Sequence, residues 1–313
     1  MPAVLIFIYC VLIALSSLFG GWLPALVRLT HTRMQLIMSF VGGLMLGVAL
    51  LHMLPHAYIE TGSIDHAVGA TVVGLVAMFC MIRILHVHQH SHDDAIADLD
   101  DDHDCDHDHA APDHAAPDHG AHGHESHEHA HHLSWVGLFA GLALHTLIDG
   151  VALAASVAAG ADHGDTATFL GLGTFFAILL HKPLDALSIA ALMAAAGWSK
   201  RSISVANVGF AVMCPIGALT FFFGIEQLGG LEPLVLGTAL GFSAGVFLCI
   251  ALADILPEVQ FHRHDRLSLT GALIGGILLA WIIGIFEPDH AHDLRGSRRS
   301  QEVDSDGHGD HQH

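Results

Sequence analysis

Charge is scarce in this chain. Asp, Glu, Lys and Arg together make up 13% of its 313 residues while hydrophobic residues make up 52%, proportions that exclude a single water-soluble core and fit a polytopic membrane protein. Basic residues are the scarcest, with 11 Lys and Arg against 31 Asp and Glu. They form no basic stripe to meet phosphates, so nucleic acid is excluded as a partner. Cysteine is sparse too. The five, at 10, 80, 105, 214 and 249, show no CxxC spacing, and four lie in apolar segments where a small buried thiol is ordinary, so no disulfide framework follows. The net charge of −20 is concentrated rather than spread: residues 86–132 hold 13 acids with no Lys or Arg, and residues 287–313 hold seven acids against three Arg. The rest of the chain is close to neutral.

What the sequence does have is long apolar runs. A helix crossing a hydrocarbon core of roughly 30 Å needs about 20 mostly apolar residues. Eight segments qualify, at about 3–26, 34–57, 66–85, 133–159, 166–196, 203–227, 233–257 and 267–286. The first is expected to be a retained span, because Arg28 and Arg33 follow its apolar run instead of preceding it as in a secretory signal. The expected organisation is spans 1–3 in residues 1–85, a disordered His/Asp-rich cytoplasmic loop at 86–132, spans 4–8 in residues 133–286, and a disordered acidic tail at 287–313 outside. Lipid is one expected partner.

Basic residues orient the spans. Arg28, Arg33, Arg83, Lys200, Arg201, Arg263 and Arg266 all fall in the first, third, fifth and seventh loops or at their edges, and the second, fourth and sixth loops have none. Odd loops are then cytoplasmic and both termini lie outside.

The chain also repeats itself. "GLMLGVALLHMLPH" from Gly43 aligns without gaps on "GVFLCIALADILPE" from Gly245, which places His52 and His56 opposite Asp254 and Glu258. By the orientation above these two spans run in opposite directions. Such weak similarity between antiparallel spans indicates an inverted-repeat transporter with its site at the repeat interface. The fold expected is an all-α integral membrane protein, an eight-helix bundle in which helices 1–3 and 6–8 are inverted repeats around central helices 4 and 5.

The fourth and fifth segments carry "LHTLIDGVALAA" and "LLHKPLDALSIAAL". Positions i and i+4 share a helix face, so His145 projects with Asp149 and His181 with Asp185. Two imidazoles and two carboxylates converging there suit Zn²⁺, with Fe²⁺, Mn²⁺, Co²⁺ and Cd²⁺ also compatible, whereas Cu⁺ favours sulfur. Ligation also offsets a cost, since an Asp or Lys at mid-bilayer is unfavourable by about 3 kcal/mol on insertion scales. The competing reading is structural, with Asp149 and Asp185 simply pairing with Lys182 and the histidines. Pro183 cannot donate to Leu179, so a carbonyl in the turn carrying His181 is expected to be free for water or a cation.

"HTLIDGVALA", "HKPLDALSIA", "ALADILPE", eight spans, outward termini and a histidine-rich third loop together resemble the ZIP family of divalent metal permeases, over nearly all of the chain outside the third loop and the tail. The resemblance implies an eight-helix bundle, a metal site shared by helices 4 and 5, and movement of Zn²⁺ or a similar ion into the cytoplasm. It assigns the primary site to His145, Asp149, His181 and Asp185, with Met45 on helix 2 as a further contact. The chain departs from the family at two positions. Where some members hold a second metal with an Asn and a carboxylate, this sequence has Thr146 and Lys182. An ammonium repels a cation and cannot ligate it while charged, so a single metal is expected, with Lys182 as the counter-charge.

On this orientation His52 and His56 would line the entrance, with Glu60, Asp65 and His66 beyond. Asp254, Glu258, His262 and His264 would form the exit. The loop at 86–132 holds 15 of the 29 histidines and has no apolar face to bury, so it reads as a disordered metal buffer or sensor whose binding weakens below about pH 6. Two rival functions remain at this level. A cation-efflux antiporter shares the His/Asp spacing but would have six spans. An intramembrane zinc hydrolase would use the metal to activate water. No nucleophile or cofactor motif favours an enzyme, and the metal is expected as cargo rather than cofactor. The expected membrane is a bacterial inner membrane, and a homodimer is a candidate assembly.

Overall fold

Inside a bilayer every backbone N–H and C=O must be paired within its own segment, which leaves the helix as the form for an isolated apolar run. A computed structural model describes residues 2–26, 31–85, 126–162, 171–225, 227–261 and 266–286. Among them, eight helices are long and apolar enough to cross a membrane. Helix α1 is Pro2–Leu26. Helix α2 is composite, built of His31–Val48, a π-helical turn Ala49–Met53 and Leu54–Thr61. The others are α3 Ile64–Leu85, α4 Ser126–Asp162, α5 Leu172–Ala195, α6 Lys200–Ile225, α7 Glu232–Phe261 and α8 Arg266–Phe286. Phe7, Leu15, Val73, Phe223 and Trp281 are exposed and give the bundle an apolar outer surface suited to lipid.

Two differences from the expected segments have local causes. Helix α5 starts at Leu172 because Gly171 before it is left-handed, with φ of 65°, a conformation glycine takes at no steric cost. Helix α2 widens into a π turn directly before Pro55. Leu54 N–H donates to the Ala49 carbonyl, a longer reach than the normal helical step, as the ladder adjusts to a following residue with no N–H.

Two helix groups account for most of the packing. Helices α2, α3, α7 and α8 form one, through α2 on α8, α3 on α7 and α2 on α7; α1, α4, α5 and α6 form the other, through α4 on α6, α1 on α5 and α1 on α6. Lipid supplies no hydrophobic drive between helices, so backbones must approach closely at small residues. A Cβ on Gly43 would lie 2.2 Å from the Leu273 carbonyl oxygen, and one on Gly276 would lie 2.1 Å from that of Phe40. The same close approach recurs between α3 and α7, where a Cβ on Gly245 would run into the Thr71 carbonyl oxygen and one on Gly74 into that of Phe242. Every residue of the second set is the one the ungapped Gly43–Gly245 alignment assigns. In the other group Gly20 faces Pro183 and Gly217 faces Leu147, and Pro183 and Leu147 each lie two residues after the histidine of their motif. The repeat is therefore present as packing, with α2 on α8 equivalent to α7 on α3, and α1 on α5 equivalent to α6 on α4.

Helix α3 supplies a controlled test of this packing. Gly74→Ala should destabilise by about 1–3 kcal/mol or more, because the new methyl meets the backbone of α7. Gly69→Ala on the same helix, with nothing within 4 Å of its Cβ position, should leave the melting temperature unchanged. Thermal unfolding of the two purified variants in detergent compares them directly; equal stability would mean the α3–α7 approach is not this tight.

Candidate metal centre

Helices α4 and α5 present His145 with Asp149 and His181 with Asp185 to each other. One ligand atom from each of the four lies within 4.8 Å of the others. Asp149 is the hub. Its Oδ2 lies 3.3 Å from His145 Nε2 and 3.2 Å from His181 Nε2, and it pairs with Lys182 Nζ. Asp185 Oδ2 lies 3.7 Å from both Nε2 atoms and 3.1 Å from Lys182 Nζ. Asp149, His145, His181 and Lys182 are buried, while the Asp185 side chain is 21% exposed and gives the cluster its open side.

The tautomer of His181 follows from its surroundings. Its Nδ1–H donates to the Ala177 carbonyl at 2.8 Å, since a carbonyl oxygen only accepts. In the neutral ring Nε2 then offers a lone pair to Asp149 Oδ2, and two acceptors face each other at 3.2 Å. His145 Nε2 and Nδ1 are both buried and make no hydrogen bond, and neither does Asp149 Oδ1. Buried acceptors directed at one another need a proton or a cation between them. A divalent ion among the two Nε2 atoms and the two Oδ2 atoms satisfies all four, and the bond to Ala177 is the kind that orients a histidine ligand. The edge of Phe247 near the His181 ring, with centroids 6.1 Å apart, adds an apolar wall.

Lys182 and Thr146, the two departures from the family pattern, meet. Lys182 Nζ donates to Thr146 Oγ1 at 3.0 Å as well as to Asp185, and it sits 5.4 Å from the Phe210 ring centroid. The ammonium is thus inside the cluster on the same two carboxylate oxygens a metal would use.

The carbonyl of Leu179 corrects one expectation. Pro183 does deprive it of its helical donor, yet it is not left for water or a cation: Ser16 Oγ on α1 donates to it at 2.9 Å. The donor comes from a helix far away in sequence, which no local reading of α5 could supply.

The remaining expected site residues fall in several places. Met45 is buried in the main apolar core. His52 lies in the π turn, 5% exposed, and its Nε2–H donates to the Ala280 carbonyl of α8 at 2.8 Å; Gly173 of α5 and Gly284 of α8 leave room for its ring. His56 is partly buried one turn further along α2. Asp254 and Glu258 are on the helical backbone of α7, but their side chains, and His262 and His264 altogether, lie outside the described residues. So does the histidine-rich segment as far as residue 125, its final part being helical from Ser126. Polar contacts not anticipated from the sequence include Ser16 on Leu179 and the hydroxyl pair Ser156–Thr174, 2.8 Å apart between α4 and α5. Their only advance signal is a hydroxyl in an otherwise apolar run.

Curated relatives cover part of the chain. A zinc transporter ZIP9 from Micropogonias undulatus is 30% identical over 135 residues, 42% of this chain and 41% of the relative. One from Macaca fascicularis is 29% identical over 159 residues, 46% of this chain and 65% of the relative. The chain thus spans less than two thirds of the length of either. The match to the family described as ZIP Zinc transporter is far broader, running from residue 4 to residue 283, and with those residues matched on an eight-helix fold, this chain belongs to the ZIP zinc transporter family.

Proposed function

We propose that this chain carries Zn²⁺ across the membrane into the cytoplasm, one ion at a time, through His145, Asp149, His181 and Asp185; Fe²⁺, Mn²⁺, Co²⁺ and Cd²⁺ fit the same donor set. The observation that supports this most is the meeting of four ligand atoms within 4.8 Å on two adjacent spans, in a chain of a zinc transporter family. The inward direction rests on charge. The basic residues favour a cytoplasmic α5–α6 connection, which carries Lys200 and Arg201. Asp185, the one partly exposed ligand, is one turn nearer that connection than His181, so the open side of the cluster faces inward. Both termini are then outside, and the membrane is an inner or plasma membrane.

The two helix groups suggest how the site changes sides. The four ligands belong to the α1, α4, α5, α6 group, and a displacement of that group against α2, α3, α7 and α8 would expose the site outward. Ions would arrive past His56 and His52 and leave past Asp254, Glu258, His262 and His264 to the histidine-rich loop, which buffers them. Lys182 occupies the place of a second ion and keeps the site mononuclear.

The test is reconstitution in sealed vesicles with Zn²⁺ outside and a fluorescent chelator within, on protein whose orientation is fixed by protease access to the 86–132 loop. Saturable uptake toward the side carrying that loop is the expected result, with one Zn²⁺ per chain bound at equilibrium beyond what His145→Ala still binds through the loop. Flux only in the opposite sense would overturn the direction, and a difference of two ions per chain would overturn the mononuclear site.

A further inference from the structure

Pro183 introduces a defect into the helix that carries half of the metal centre. It lies two residues after His181 and two before Asp185, and it leaves the Leu179 carbonyl without its helical partner in a segment where no bulk water is present to replace it. An unpaired carbonyl there would be costly and would be relieved by straightening, twisting or fraying the turn that holds His181. Ser16 Oγ takes that carbonyl at 2.9 Å. The approach is sustained by Gly20 one turn along α1, where any Cβ would sit 2.3 Å from both Pro183 Cα and its carbonyl oxygen.

The repeat shows that this pairing is a matched device. Where Gly20 faces Pro183, Gly217 faces Leu147. Counting back along each helix, Ser16 corresponds to Met213 and Pro183 to Leu147. At the matched positions α4 has Leu147, which keeps its N–H, and α6 has Met213, which offers no hydroxyl. At this contact the proline and the serine occur together in one half and are both absent from the other.

We propose that Ser16 is a positioning residue for the metal centre: by donating to the carbonyl that Pro183 frees, it fixes the turn of α5 that aims His181 and Asp185 at Asp149. This rests on the metal-transport reading given above and adds a residue on α1 that contacts no ion. It makes the role of Ser16 conditional on Pro183, since an alanine in place of that proline would itself supply the missing N–H to the Leu179 carbonyl.

That condition is the test. Zn²⁺ dissociation constants, with the binding that His145→Ala retains through the histidine-rich loop subtracted, and the half-saturation of vesicle uptake are measured for wild type, Ser16→Ala, Ser16→Thr, Pro183→Ala and the double variant, with elution as a single species confirming the fold. Ser16→Ala should raise both values on the order of fivefold, as loss of one buried hydrogen bond implies, with the maximal rate less affected. Ser16→Thr, which keeps the hydroxyl, should stay close to wild type. On the Pro183→Ala background Ser16→Ala should change neither value by more than about twofold. An equal loss with and without the proline would overturn the proposal by making Ser16 a packing residue, and no loss in Ser16→Ala would overturn it outright. Wild-type protein that moves no zinc would instead defeat the transport reading, while the dissociation constants would still decide the role of Ser16.

Discussion

His145→Ala is expected to lower zinc flux in vesicles by two orders of magnitude or more, while a chain lacking residues 88–125 keeps most of its flux. The histidine is the cleanest ligand to remove. Neither of its ring nitrogens is hydrogen-bonded, so its loss strands no buried partner and the cost falls on the ion. Losing even an outer partner of a metal ligand costs 10–100-fold in affinity, and a direct ligand more. Asp149→Ala should also abolish flux, but it withdraws the carboxylate on which His145, His181 and Lys182 all converge. Breaking such a buried pair destabilises by about 3–5 kcal/mol, so that variant should melt earlier too. The deletion stops at residue 125 because α4 is already helical from Ser126; a longer cut would remove part of the helix carrying the site and confuse the two effects. Unchanged flux in His145→Ala would mean that the His/Asp pairs hold helices together and carry nothing.

The spans and the centre were legible for the same reason. Lipid forces each span to be a self-paired helix, so apolar length reports it directly, and a charged pair retained in such a run at i, i+4 spacing marks a shared face. His145 with Asp149 and His181 with Asp185 therefore announced both the four-residue cluster and the facing of α4 on α5. The Gly43–Gly245 alignment was legible too, since its glycines are the contact points of equivalent helix pairs. What the sequence hid depends on partners distant along the chain. Ser16 meets Leu179 across 163 residues and His52 meets Ala280 across 228; each is an ordinary residue until the bundle closes. The π turn in α2 had a local cause in Pro55, but a proline alone specifies a disturbed ladder and not whether it kinks, widens or is bridged from outside. Pro183 and Pro55 illustrate the last two outcomes in one protein.

Lys182→Met should have the second large effect, in two opposite senses. With neutral imidazoles, Asp149, Asp185 and Lys182 leave the empty cluster one net negative charge, and a divalent ion turns this to one net positive charge. The ammonium therefore stabilises the empty site and opposes the filled one. Removing it strands two carboxylates, Asp149 fully buried, so the metal-free variant should lose about 3–5 kcal/mol of stability. Thr146 is not stranded, because its hydroxyl also donates to the Leu142 carbonyl at 2.7 Å, and methionine fills much of the vacated volume beside Phe210. Zinc then meets a site whose charge it neutralises, without a cation on the same oxygens. Its half-saturating concentration should fall at least about tenfold, a modest share of the several kcal/mol that a unit charge exerts on a divalent ion a few ångströms away at an effective dielectric of about 20. Tighter holding slows release, so the maximal flux should fall as well. Melting curves with and without Zn²⁺ separate these effects, because a ligand stabilises by RT ln(1 + [L]/Kd) and the zinc-induced rise in melting temperature must be larger in the variant than in wild type. A smaller rise, with affinity unchanged, would mean that Lys182 moves out of the way when the ion arrives and that the counter-charge lies elsewhere.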